Sequence, residues 1–202
     1  MKNSYSAEIL FISSYPPREC GIATYSHDLI KALNNKFSNS LSIKVCALES
    51  SDVNYQYSDE VKYILKTSLA DRYVELSAEI NKDNQIKIIL IQHEFGFFRK
   101  QEQAFLQFLT ALKKPVIIVF HTVLPHPDKQ LKLKIKSIAA VCESVTVMTH
   151  NSAAILMKVY GLPDEKISNK KTLKYKSNLY DNMGKYIDNI ISLTVGLIKK
   201  MD

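Results

Sequence analysis

The stretch ILFISSYPPRECGIATYSHDLIKAL, residues 9–33, decides the fold. Ile9 to Ser14 is a continuous, largely apolar run of strand length. Tyr15, Pro16 and Pro17 stop it, because proline neither donates to a ladder nor continues a helix. After Gly21, apolar side chains recur at Ile22, Tyr25, Leu29, Ile30 and Leu33, the spacing of one helical face, until Asn34 and Asn35 break the pattern. The stretch therefore predicts a buried strand, a loop with one glycine, and a helix.

The alternation continues outward from there. Strands are expected at Leu41 to Leu48, Val61 to Leu65, Ile86 to Gln92, Pro115 to His121 and Ser144 to Thr149. Helices are expected around Ala70 to Ile80, Glu102 to Leu112, Lys129 to Val141 and Ser152 to Tyr160. Strands that alternate with helices predict an α/β domain: one doubly wound, mainly parallel sheet with helices on both faces. Ligands of such sheets bind outside the carboxyl ends of the strands. The residues to inspect are therefore Arg18 to Thr24, His93 with Glu94, His121 to His126, and His150 with Asn151. Four of the five histidines fall in these loops, and only His27 lies on a helix.

Composition bounds the rest. The chain has 202 residues, 46% hydrophobic and 23% charged, which is enough for one well-packed core. Nothing in it reads as a secretory leader, and its longest apolar-rich stretch near the C-terminus, Ile190 to Ile198, is about half of what a membrane span needs. A cytoplasmic location is the expectation. Cys20, Cys46 and Cys142 are odd in number and have no C-x-x-C spacing, so neither a disulfide framework nor a zinc cluster is expected. Of the net charge of +7, a balance of +5 lies from Lys166 onward, with eight Lys against three Asp. A basic tail attracts acidic partners, but without an aromatic-interleaved motif a solvated surface is expected, with no nucleic-acid partner.

The loop before Gly21 places a glycine between strand and helix, where backbone N–H groups and the helix dipole attract an anion. The plain alternative is a tight turn, since neither G-x-G-x-x-G nor G-x-x-x-x-G-K-[ST] is present. His93 and Glu94 either hydrogen-bond a ligand's hydroxyls or pair with Arg18 across the loops. They are not a zinc motif, because the position that a second histidine would take is Phe97. Lys129, Lys132, Lys134 and Lys136 give the helix there a partly basic face, read as solvated in preference to a peripheral membrane contact.

Four stretches carry a resemblance that spacing alone does not. ISSYPPRECGIATYSHDL (12–29), IQHEFGFF (91–98), FHTVLPHP (120–127) and VMTHNSAAIL (147–156), with YGLP at 160–163, together resemble the N-terminal, acceptor-side domain of family-4 retaining glycosyltransferases of the GT-B fold. The resemblance covers about residues 8–167 and implies a Rossmann-like domain over 1–167. It implies a nucleotide-sugar as co-substrate and a sugar or glycan acceptor, and the sequence itself gives no evidence for a metal or other cofactor. Gly21 then matches the loop glycine facing the sugar-nucleotide diphosphate, and His121 the strand-end histidine near the reacting sugar. An imidazole there positions a hydroxyl or stabilises charge as the glycosidic bond breaks. The alternative for His121 is a histidine satisfied by backbone hydrogen bonds. Arg18, Gly21, His93, Glu94 and His150 are the candidate substrate contacts and His121 the candidate catalytic residue.

After GLPDEKI (161–167) such enzymes run on into a second, donor-binding Rossmann-like domain. This chain instead reads SNKKTLKYK (168–176), and no glutamate occurs after Glu165 to match the family's paired donor-binding glutamates. Residues 168–202 are expected to be a basic linker and an amphipathic helix that packs on the domain through Met183, Ile187, Ile190, Ile191, Leu197 and Ile198. Three functions follow as expectations. The first is an acceptor-side domain that does not catalyse transfer alone. The second is a non-catalytic module that pairs with a separate donor domain or self-associates. The third is an enzyme unrelated to sugars on the same fold.

Overall fold

The computed structural model describes residues 7–37, 42–50 and 54–168, and beyond them only positions 192 and 196. Six strands form one sheet: β1 (Glu8–Ser13), β2 (Ser42–Glu49), β3 (Val61–Lys66), β4 (Ile86–His93), β5 (Val116–Phe120) and β6 (Ser144–Val147). The order across the sheet is β3-β2-β1-β4-β5-β6, and every neighbouring pair is parallel. Helix α1 (Gly21–Phe37) follows β1, α2 (Ala70–Lys82) follows β3, and the short α3 (Phe95–Phe98) and α4 (Glu102–Ala111) follow β4. Helix α5 (Lys129–Val141) follows β5, and α6 (His150–Lys158) follows β6. The expected α/β, Rossmann-like sheet is the observed one. The tail helix read from the sequence lies outside the described residues.

The strands are buried on both faces, which is why they read as continuous apolar runs. On one face Leu10, Ile12, Ile89, Ile91, Ile118, Phe120 and Val145 pack under Tyr73, Leu76 and Ile80 of α2, Phe105 and Phe108 of α4, Ile135 and Ile138 of α5, and Leu156 of α6. On the other, Ile9, Phe11, Val45, Ala47, Leu90 and Val119 pack under Leu29, Ile30 and Leu33 of α1. Because successive side chains of a strand point to opposite faces, each strand end sends neighbouring residues to different environments. Residues 92 and 93 feel this most. Among the described residues no helix is long and apolar enough to cross a membrane.

Local chemistry sets the boundaries. Asp128 caps α5, its carboxylate accepting from the Leu131 N–H at 2.7 Å. Thr149 caps α6, its hydroxyl accepting from the Ser152 N–H at 3.0 Å, so this helix starts at His150, two residues before its apolar periodicity begins. Helix α6 closes on Gly161, whose φ of 70° only glycine adopts cheaply. The N–H of Gly161 donates to Met157 and that of Leu162 to Leu156, a Schellman closure. Ile167 then bridges to Val145 beside β6.

At the opposite, amino edge of the sheet, Lys62 sits 2.6 Å from both the Glu8 and the Asp83 carboxylates, and Asp83 also accepts from the Tyr63 hydroxyl at 3.0 Å. Burial alone would lift the Asp83 carboxyl, but Lys62, the Gln85 N–H and Tyr63 together hold it below its usual range. Replacing Lys62 with Met leaves the buried Glu8 without its cation and should cost about 2–3 kcal/mol in urea unfolding. The contribution of Asp83 is present above the ordinary carboxylate range and is lost as pH falls through its depressed native value.

Candidate functional site

The strand order places a topological switch between β1 and β4. The chain leaves β1 toward α1 and β2 on one side, and leaves β4 toward α4 and β5 on the other, and the carboxyl ends of these two strands are where sheets of this order place their ligands. The β1 side is the loop from Ser14 to Cys20, with a cis peptide between Pro16 and Pro17. Gly21 is the first residue of α1 and is exposed, and a Cβ built there would meet nothing within 4 Å. Protein packing therefore does not require glycine at this position, and the backbone at the helix start is open to a ligand.

Arg18 does not pair with Glu94. Its guanidinium carbon stands 5.5 Å from the centre of the Phe97 ring, a cation–π arrangement, and Nη1 lies 3.5 Å from the Leu48 carbonyl. Cys20 is partly exposed at the helix start, with Sγ 3.3 Å from the Ser14 hydroxyl. Burial raises its thiol, but Ser14, the backbone N–H groups of Ala23 and Ile22 and the charge of Arg18 outweigh that and bring it below the ordinary value. Cys46 and Cys142 are buried and inert by comparison.

On the β4 and β5 side two cross-strand pairs close the edge. The Gln92 Oε1 lies 2.6 Å from the His121 Nε2, and the Thr122 hydroxyl donates to the Glu94 Oε2 at 2.7 Å. The other Glu94 oxygen accepts from the Phe95 N–H at 2.9 Å, which starts the single turn of α3. The His121 N–H donates to the His93 carbonyl at 3.1 Å, and the Tyr25 ring of α1 stands edge-on to the imidazole at 5.2 Å. Burial lowers the His121 titration, and the Glu94 carboxylate opposes this only in part, so the ring is neutral at pH 7.

His93 is placed elsewhere than the sequence reading expected. Gln92 and His121 face α1, so the alternation of β4 turns His93 to the opposite face, where it is 3% exposed. Its ring stacks on Phe98 at 5.6 Å and is edged by Phe120 at 5.0 Å and Phe95 at 5.6 Å. Nδ1 has no hydrogen-bond partner among the described residues. Burial first, then the charges of Lys134 and His121, push its titration down to about 3. This imidazole supports the site from below and does not reach the edge.

His150 opens α6 at the outer end of the strand row, two strands from β4, and is exposed. The structure thus brings Arg18, Gly21, Glu94 and His121 to the edge around the switch and leaves His93 in the core. Gln92, Thr122 and Tyr25 join the edge without having been expected there. One signal for Gln92 was available: it is a polar residue inside an apolar strand whose parity matches His121 in the parallel register Gln92↔Val119. The lysine face of α5 is partly engaged, since Lys134 bonds Glu102 of α4, while Leu133 is 57% exposed beside it.

Neither a protein-family model nor a curated protein sequence matches the chain. Among solved structures, an alpha-glucosyltransferase in complex with UDP and a 13-mer DNA containing a central A:G mismatch is similar, with 13% identity and a TM-score of 0.48. The alignment covers 72% of this chain and 38% of that one. The chain spans well under half the length of that protein. The fold is Rossmann-like, and the assignment stands on the six parallel strands and their order.

Proposed function

We propose that residues 1–202 supply the acceptor-side half of a retaining, nucleotide-sugar-dependent glycosyltransferase of the GT-B, family-4 type. One observation carries this reading: segments of all four family-like stretches end at the same carboxyl edge. Three of them, the Gly21 loop, Gln92 to Phe98 and His121 with Thr122, meet around the switch point. In this reading His121 is the catalytic imidazole. As a neutral ring it positions a sugar hydroxyl, whereas an imidazolium would favour an anion. Gly21 lets a diphosphate approach the amino end of α1, and Arg18 adds a cation near the same loop. Glu94 orders the β4–β5 edge through Phe95 and Thr122 and leaves little of its carboxylate for a ligand.

Retaining transfer also needs the leaving diphosphate held and its charge compensated. No glutamate follows Glu165 in these residues, so the donor-binding carboxylates come from elsewhere, whether in the same protein or in a separate chain. Residues 1–202 by themselves therefore bind an acceptor and do not transfer. Calorimetric titration with a panel of glycosides, beside a sugar-nucleotide turnover assay, tests this. The expected result is acceptor heat without turnover, and turnover by these residues alone would overturn it.

A second reading, a module that docks a donor domain or a second copy, is favoured by apolar side chains on the same edge. Leu69, after β3, is 47% exposed, and Leu124, after β5, is 42% exposed. A chain that stays monomeric in sedimentation at all concentrations would remove self-association from this reading.

A further inference from the structure

We propose that Gln92 fixes the ring proton of His121 on Nε2, so that Nδ1 stands at the carboxyl edge as a hydrogen-bond acceptor and the site takes a hydroxyl donor, such as a polyol or sugar, in preference to an anion. The ligand half of this inference rests on the reading of the edge as a sugar site. The tautomer half stands on the Gln92–His121 contact and on the burial that keeps the ring neutral.

Gln92 is 0% exposed in β4, between β1 and β5; its amide Nε2 is buried without a hydrogen-bond partner among the described residues, so His121 is the one side chain that its amide bonds. It points at His121, with the 2.6 Å contact on the Nε2 side of the ring. The structure places the amide oxygen against the ring, at a separation just below the usual range for an N–H donating to a carbonyl oxygen. An amide oxygen only accepts, so the imidazole must donate through Nε2, and a neutral ring that donates there carries a lone pair at Nδ1. The ring's orientation is set independently, by the His121 N–H bond to the His93 carbonyl and by the edge contact with Tyr25.

Burial and the engagement of Glu94 together keep the ring neutral. Burial disfavours the imidazolium, and Glu94, the carboxylate that would favour it, already spends its two oxygens on the Phe95 N–H and the Thr122 hydroxyl. A lone pair on Nδ1, at the carboxyl end of β5, attracts an O–H and repels a phosphate oxygen. Gln92 is thus a positioning residue: it touches no ligand and selects one through His121.

Long-range proton–nitrogen correlation spectra of the 15N-labelled chain at pH 7.5 read the tautomer directly, with His121 assigned by its loss in His121→Asn. The expected wild-type spectrum has His121 almost wholly protonated on Nε2. In Gln92→Leu the tautomer ratio falls by up to about tenfold, the worth of one lost hydrogen bond. Gln92→Glu keeps the Nε2 proton and raises the pH at which His121 becomes charged. A wild-type ring protonated on Nδ1, or an unchanged ratio in Gln92→Leu, would overturn the assignment, and the wild-type spectrum decides it even if the leucine variant does not fold. Methyl glucoside and inorganic phosphate serve as ligand probes. The glycoside should move the Nδ1 resonance and phosphate should not, and the reverse pattern would overturn the ligand preference. Binding of neither would count against the sugar-site reading, while the tautomer remains decided by the spectrum.

Discussion

Between pH 7 and pH 5 the wild-type chain should lose about 2 kcal/mol more unfolding free energy than His93→Phe, measured as the difference in their urea midpoints at matched slopes. The unfolded imidazole takes up a proton near pH 6.5, whereas in the folded state burial among aromatic rings pushes His93 down to about 3. Above pH 6.5 both states hold His93 neutral and nothing is linked. Below it, the unfolded chain binds a proton that the folded chain refuses, and stability falls by about 1.4 kcal/mol per pH unit until the folded value is reached. Phenylalanine has nearly the same shape as the imidazole, and the cavity of about 10 Å³ beside the ring leaves room for the added ring atom. The variant should thus match the wild type at pH 7.5 and pull ahead only in acid. His121 titrates in the same direction but is present in both proteins, so it drops out of the difference. Parallel pH profiles for the two proteins would mean that His93 reaches solvent and is free to contact a ligand after all.

Phe105→Ala should cost about 4 kcal/mol, the largest loss expected from one substitution near the site. The Phe105 side chain is 2% exposed on α4, and its ring stacks on Phe98 with centroids 3.8 Å apart and planes within 10°. His93 lies 5.8 Å from the same ring. The methyl that remains leaves a void bordered by the Phe98 ring of α3 and the His93 ring of β4, which have little freedom to collapse into it. The consequence for the site is specific. Phe98 ends the α3 turn that Glu94 caps, so a loosened Phe98 frees Glu94, and the Glu94–Thr122 bond across the β4 and β5 ends weakens with it. Amide exchange at Phe95 and Thr122 should quicken in the variant far more than at Ile9 or Val45, which pack on the opposite face. A loss below about 1 kcal/mol, or uniform quickening, would show that the aromatic cluster does not anchor the edge.

How much of this was legible in the sequence varies with the length scale of the signal. The strands were readable because burial on both faces writes them as apolar runs, as in Ile86 to Ile91, and α5 was readable from end to end from its apolar period, which the Asp128 cap seen in the structure matches. Helix starts were less legible. Thr149 reads as the last residue of a β-branched strand until its hydroxyl is seen capping α6. The α3 turn was invisible, since four residues, Phe95 to Phe98, are too few to display a helical period. The placement of the candidate residues was legible in part. The loops after β1, β4 and β5 come together at one carboxyl edge, as a parallel sheet in this strand order requires. Which residue of β4 faces His121 was not legible, because a His-Glu dipeptide draws the eye whereas the two-residue period of a strand, with β5 as its neighbour, puts Gln92 on that face. The separation of Arg18 from Glu94 depends on Phe97 turning back over the loop, a tertiary event with no local pattern.

The central proposal is that the carboxyl edge around the β1–β4 switch is a sugar-hydroxyl site. Amide shift mapping of the 15N-labelled chain against a glycoside panel and a nucleotide-sugar panel tests it most directly. The account predicts that glycosides move Gly21, Glu94, His121 and Thr122 together, with no turnover of any nucleotide-sugar. Shifts centred away from these residues, or tight nucleotide-sugar binding with turnover, would contradict it.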